Sequence, residues 1–267
     1  MNEIVLMALL ATLCTWLLTA LGAATVIFCN RPRPRLMNAM MGFASGVMIA
    51  ASFWSLLQPA IERAEKTLTV PAYWVVTVGF VCGAVFMWVS DKIVTWATGR
   101  ANATGEPKDK RTGRAIMLIL SITLHNVPEG LAVGVAFGII ERAGYSPEAL
   151  MGAVSIAIGI GLQNFPEGAA VSLPLRRDGC GRWRSFLLGQ ASGMVEPIAG
   201  VLGAVLVVWV ESVLPFALSF AAGAMILVAV HELIPECQKN QEGSPYFATM
   251  GIVAGFAVMM LLDVMLG

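Results

Sequence analysis

Eight stretches of this 267-residue chain are apolar over roughly 20 residues or more, and no other feature limits its fold as strongly. They cover approximately 4–28, 36–61, 68–90, 115–140, 148–173, 185–210, 213–235 and 245–266. Each is long enough to cross a bilayer as a helix, so the expected fold is an all-α membrane protein with eight transmembrane helices. Only 13% of residues are charged, against roughly 25% in a soluble domain, which agrees with a bilayer environment. The connections are short, and residues 1–267 read as a single polytopic domain. The longest connection, about Gly99 to Arg114, carries Gly, Pro and mixed charge and reads as a flexible loop. Such loops cannot house an ATPase domain, which argues against an ATP-driven pump. The first stretch follows Glu3 rather than a basic segment and outruns a signal-peptide core, so it reads as a retained helix.

Loop charge sets the expected orientation. Loops 1–2, 3–4, 5–6 and 7–8 carry 13 Lys and Arg residues, against 3 on the opposite side, with Lys92 at a helix end left out. Basic loops stay cytoplasmic, so both termini are expected outside, in the periplasm for a bacterial inner membrane. Net charge is zero, and nothing points to a nucleic-acid partner. The five cysteines are scattered, odd in number and without a CxxC pair, which argues against a disulfide or zinc-finger framework. Cys14 and Cys82 read as small buried hydrophobes.

Two internal echoes appear. Phe43-Ala44-Ser45-Gly46-Val47-Met48-Ile49 in helix 2 resembles Phe220-Ala221-Ala222-Gly223-Ala224-Met225-Ile226 in helix 7. With eight spans these helices run in opposite directions, which gives the chain the inverted-repeat character of many secondary transporters. The second echo carries chemistry. Leu124-His125-Asn126-Val127-Pro128-Glu129-Gly130 returns 38 positions later as Leu162-Gln163-Asn164-Phe165-Pro166-Glu167-Gly168. A central acid costs about 2.5–3.5 kcal/mol on insertion scales, so intramembrane carboxylates are functional candidates by default.

Residues three and four apart share one helix face, which groups His125, Asn126 and Glu129 on helix 4 and Gln163, Asn164 and Glu167 on helix 5. Pro128 and Pro166 free the carbonyls of Leu124 and Leu162 and can kink the helices, while Gly130 and Gly168 admit close backbone approach. Facing one another, the two sets place two glutamates in a dry interior, where they repel unless protonated or joined by a cation. Imidazole with carboxylate suits zinc, iron, manganese or cadmium better than calcium. Helix 6 adds Glu196 before Pro197, either as a further ligand or as an acid lining a water-filled cavity. A proton relay through the glutamates without metal, as in a proton-coupled carrier of an organic solute, is a separate reading.

His231-Glu232-Leu233-Ile234-Pro235-Glu236 invites comparison with the H-E-x-x-H protease motif, but proline replaces the second histidine. A metal-dependent intramembrane hydrolase is therefore the weaker alternative, and His231 with Glu232 reads as a relay or exit position. Met48, Ser52 and Ser55 form one stripe on helix 2, serving either a pathway or helix packing. No phosphate loop, nucleotide motif or Ser/Cys nucleophile constellation is present, so neither an enzyme nor an organic cofactor is expected.

At its doubled Pro-Glu-Gly motif, and over essentially its whole length, the chain resembles the bacterial branch of the Zrt/Irt-like (ZIP) family of divalent metal transporters. The resemblance implies carriage of zinc and related ions toward the cytoplasm, commonly by homodimers, through a two-metal site. By motif position, one metal would use His125, Glu129, Gln163 and Glu167, and Met48 would touch it from helix 2. The second would use Asn126, Glu129, Asn164, Glu167 and Glu196. An elevator-like motion of helices 1, 4, 5 and 6 against the others is also implied. The chain departs from many relatives at Gln163, where histidine is common, and at Asn164, where some carry aspartate. Loop 3–4 lacks the histidine cluster of many relatives, and His125 and His231 are the only histidines.

Overall fold

The computed structural model describes residues 2–28, 34–103, 107–143, 145–177, 179–209, 213–238 and 246–266. Side chains are described over 3–28, 34–96, 122–140, 145–176, 179–207, 213–238 and 246–266. Among the described residues there is helix and no strand, and eight helices are long and apolar enough to cross a membrane. They are α1 (Glu3–Phe28), α2 (Pro34–Thr67), α3 (Ala72–Trp96), α4 (Ile122–Ile140), α5 (Pro147–Arg176), α6 (Arg182–Val207), α7 (Leu214–Gln238) and α8 (Tyr246–Leu266). The fold class expected from the apolar runs is therefore the one observed.

The long connection between α3 and α4 differs from expectation. The backbone stays helical over Ala72–Ala103 and again over Pro107–Ala143, leaving little of the expected loop. Ala, Lys and Arg are good helix formers, and Pro107 stands at the first helical position, where its missing N–H costs nothing. Gly and Pro there punctuate a helical connection instead of dissolving it. Cys14 and Cys82 also depart from expectation, since both are exposed on helix surfaces. In a membrane-length helix the outer face is itself apolar, so a weakly polar thiol gains nothing from being inside.

Helix packing obeys the inverted repeat. The most extensive pairings are α2 with α8, α4 with α6, α1 with α5, and α3 with α7. Exchanging α1–α3 for α6–α8 and α4 for α5 turns the first pairing into the fourth and the second into the third. Local irregularity repeats as well. A π-helical turn begins at Ser52, nine residues after Phe43, and another at Ala229, nine after Phe220. Such turns widen the helix and frequently mark functional segments.

Small residues bring the paired helices together. A Cβ at Gly42 or Gly46 would overlap the α8 backbone at Ala248 or Ile252, and one at Gly251 or Gly255 the α2 backbone at Ala39 or Phe43. The α3–α7 pair repeats this, with Gly83 against the Phe220 carbonyl and Gly223 against the Phe80 carbonyl. In a bilayer helix association rests on close packing rather than on hydrophobic exclusion, so a glycine every fourth residue is the device that matters. The strongest pairings fall within two groups, α1/α4/α5/α6 and α2/α3/α7/α8, and the buried polar residues gather mainly in the first.

Candidate metal centre

Seven intramembrane residues singled out by the doubled motif and by Glu196 are all buried: His125, Asn126, Glu129, Gln163, Asn164, Glu167 and Glu196. The helices run unbroken through Pro128 and Pro166, so the freed carbonyls do not end either span. Both motif glycines sit where another backbone arrives. Gly130 lies against the Glu196 carbonyl of α6, and Gly168 against the Thr19 carbonyl of α1. Any side chain at these two positions would push α4 and α5 away from their partners and open the centre.

The two asparagines are held by the same contact in each half. Asn126 Nδ2 donates to the Ser192 carbonyl at 2.8 Å, and Asn164 Nδ2 donates to the Thr15 carbonyl at 3.2 Å. Thr15 and Ser192 occupy equivalent places four residues before Thr19 and Glu196, which face the two motif glycines. In α6 the helix tightens to a 3-10 turn over Ser192–Met194. Pro197 has no N–H for the Gly193 carbonyl, and the tightening answers that loss.

The carboxylates divide the remaining donors. Gln163 Nε2 donates to Glu129 Oε1 across the α4–α5 interface. Glu196 Oε2 accepts from Thr15 Oγ1 at 2.6 Å and from Asn164 Nδ2 at 2.8 Å, while Thr19 Oγ1 stands 3.4 Å from Glu196 Oε1. His125 Nε2 lies 2.8 Å from Glu232 Oε1 on the second π-helical turn, a polar tie between the two helix groups.

What is left over defines the chemistry. Asn126 Oδ1, Glu129 Oε2, Gln163 Oε1, Asn164 Oδ1 and Glu167 Oε1 are all buried without a hydrogen-bond partner. An unmet buried polar atom costs roughly 1–3 kcal/mol, so five on adjoining turns of α4 and α5 form a concentrated deficit. All five are acceptors, and two belong to carboxylates. A bound cation meets that deficit, and a neutral apolar molecule does not. Among the described residues no three His, Cys, Asp and Glu side chains are grouped to hold an ion by themselves. The free amide oxygens are the additional acceptors present, and oxygens with one imidazole are a combination that suits divalent transition ions.

The lower-ranked positions fare differently. Met48 packs in the apolar core, and the Ser52 hydroxyl bonds back to the Met48 carbonyl at 2.7 Å. Ser55, inside the first π-helical turn, donates to Asp263 Oδ1 of α8 at 2.7 Å, and Ser155 of α5 reaches the same oxygen at 3.3 Å. Met48, Ser52 and Ser55 are all buried, and the π-helical turn begins within this stripe, at Ser52. Glu232 reaches His125, whereas His231 is exposed on the helix surface.

Sequence reasoning missed Thr15, Thr19, Ser155 and Asp263. The signal for Asp263 was present, an acid within a membrane-length apolar run, which the same default flags as functional. Thr12, Thr15 and Thr19 recur at helical spacing on one face of α1 and are all buried, but threonine in a membrane helix also bonds its own backbone. Composition alone gives no reason to prefer the long-range partner.

Fold and centre together define a polytopic membrane protein with a buried, acceptor-rich polar centre inside its helices. Comparison with known proteins gives the family. Residues 98–263 match the model of the ZIP zinc transporter family. Zinc transporter ZIP11 of Homo sapiens is 39% identical over 98% of this chain and 98% of its own length. Zinc transporter ZIPB of Bordetella bronchiseptica is 36% identical over 93% of this chain and 78% of its own length. Zinc transporter GufA of Myxococcus xanthus is 34% identical over 97% and 98%. The chain belongs to the ZIP zinc transporter family. Its relatives are named as transporters rather than enzymes, so the hydrolase alternative falls away.

Proposed function

We propose that this protein is a secondary transporter that carries divalent transition-metal ions, zinc foremost, across the membrane toward the cytoplasm. The observation that carries the reading is the set of five buried, unpartnered acceptor oxygens on α4 and α5. A hydrated ion entering this centre exchanges water for His125, Glu129, Gln163 and Glu167, with the oxygens of Asn126 and Asn164 beside them. Glu129 and Glu167 bridge the two halves, and Glu196 forms the third wall. Zinc, cadmium, iron and manganese share the required tolerance for imidazole and oxygen donors, and the names of the relatives favour zinc.

Binding must break an existing bond. His125 Nε2 must give up its tie to Glu232, whereas Gln163 and Glu129 each offer a free oxygen beside the hydrogen bond between them. The ion therefore replaces a polar link between α4 and α7 with bonds confined to α4 and α5. That exchange supports an elevator-like motion in which α1, α4, α5 and α6 slide as one group against the rest, with Glu232 receiving the released histidine. Ser55 with Asp263 lies on the other stretch of the path, and Met48 and His231 are further candidates along it. Loop charge supports a cytoplasmic side bearing loops 1–2, 3–4, 5–6 and 7–8, with both termini periplasmic in a bacterial inner membrane. The resemblance supports a homodimer.

Uptake of radiolabelled zinc into proteoliposomes tests the reading. Accumulation above empty liposomes, competed by cadmium, is expected, and no accumulation by folded protein overturns it. Gln163→His gives a further expectation. Imidazole binds zinc better than a neutral amide oxygen, so the variant has a lower KM for zinc, read from uptake at graded zinc concentrations.

A further inference from the structure

The two asparagines are oriented alike through their amide N–H groups, but the second carries an extra restraint. Asn126 uses Nδ2 on the Ser192 carbonyl. Asn164 uses Nδ2 on both the Thr15 carbonyl and Glu196 Oε2. Both of its N–H bonds are thereby spent, and its oxygen is left buried without a donor. Glu196 in turn has few other partners. Its Oε2 takes the Thr15 hydroxyl at 2.6 Å, the short distance expected of a hydroxyl on a carboxylate, and its Oε1 has the Thr19 hydroxyl at 3.4 Å. The Thr15 hydroxyl also has the Thr12 carbonyl within 3.0 Å, but it has one proton to give, and the closer, charged acceptor takes it. All of Thr12, Thr15, Thr19, Asn164 and Glu196 are buried, so water does not substitute for any of these bonds.

We propose that Thr15 is a positioning residue of the metal centre: its hydroxyl anchors Glu196, and Glu196 with the Thr15 carbonyl holds the Asn164 amide with its oxygen turned into the site. In this arrangement Glu196 is the acceptor that orients the Asn164 amide. Its Oε2 is engaged by donors from α1 and α5, while the Thr19 hydroxyl near Oε1 stands at the same 3.4 Å from the Thr15 carbonyl. The inference rests on the proposed metal site and adds to it a residue on α1 that the doubled motif does not contain.

Side-chain and backbone contributions are separable at Thr15. Replacement by valine keeps the carbonyl that Asn164 uses and keeps the shape of the side chain. It removes only the hydroxyl. Glu196 then loses its shortest donor in a site without water, and it shifts together with the amide bonded to it. Loss of a partner that orients a metal ligand typically costs 10–100-fold in metal affinity. The expected result is therefore a KM for zinc raised about 10-fold in Thr15→Val, with the maximal uptake per folded transporter unchanged. Thr15→Ser, which restores the hydroxyl, returns KM to the wild-type value. A purely structural role would lower the amount of folded protein and leave KM alone.

The experiment measures zinc uptake by proteoliposomes reconstituted with equal amounts of monodisperse wild type, Thr15→Val and Thr15→Ser. If Thr15→Val does not accumulate, Thr15→Ala replaces it with the same expectation, since alanine is the better helix former. Unchanged or lowered KM in the hydroxyl-free variant overturns the proposal, and so does a serine variant that fails to recover. Absence of zinc uptake by the wild type overturns the transport reading instead, so the two failures are distinct.

Discussion

Zinc uptake by the Glu129→Ala/Glu167→Ala double variant falls to the level of empty liposomes. The two glutamates contribute two of the five unpartnered acceptors and the only carboxylate charge on the facing turns of α4 and α5. Amide oxygens and one imidazole cannot replace the hydration shell of a dication without them. Loss of a residue that merely orients a ligand costs 10–100-fold, so removal of both carboxylates costs more than about 100-fold. The variant should nevertheless fold. Removing carboxylates from a centre where they have too few donors relieves desolvation, and truncation adds no bulk at any helix crossing. Size-exclusion profile and thermal unfolding in detergent therefore remain close to wild type while uptake disappears. Uptake that survives in folded double variant removes these residues from the transport path.

Gly134→Val has the opposite profile and damages folding rather than chemistry. A Cβ at Gly134 would overlap the Gly200 carbonyl oxygen and stand 2.8 Å from the Gly200 Cα. Both obstacles are backbone, and neither can rotate away. On the other side Gly200 packs against Thr12 of α1, so α6 has no free space to retreat into. Overpacking a well-filled core costs typically 1–3 kcal/mol, and helix association within a bilayer has no hydrophobic reserve to offset it. The expected result is a lowered thermal midpoint in detergent and a sharply reduced yield of monodisperse protein. Gly152→Ala is the matched control. Its Cβ meets nothing within 4 Å, and alanine is the better helix former, so stability holds or rises. A Gly134→Val protein as stable as wild type would show that α4 and α6 do not meet as closely as described.

The doubled motif was legible because membrane interiors penalise polar residues so heavily. Glu129 and Glu167 cannot lie in apolar spans by accident, and their matched surroundings named the helices that meet. Gly130 and Gly168 were likewise readable as points of close backbone approach, and the structure places the Glu196 and Thr19 carbonyls there. The echo between helices 2 and 7 extended to features that sequence did not announce, the paired π-helical turns at Ser52 and Ala229.

The sequence by itself determined that this chain crosses a membrane eight times and carries a paired polar centre in helices 4 and 5. Hydrophobic length and the cost of buried charge are local properties, written in consecutive residues. The tertiary structure alone decided which polar atoms bond one another. Thr15 reaching Glu196 and Ser55 reaching Asp263 join residues 181 and 208 positions apart. Neither partner is marked as such, because a threonine or serine hydroxyl in a helix has a local carbonyl always within reach. Only the packing of α1 on α5 and α6, and of α2 on α8, chose the distant acceptors, and with them which oxygens were left unpartnered.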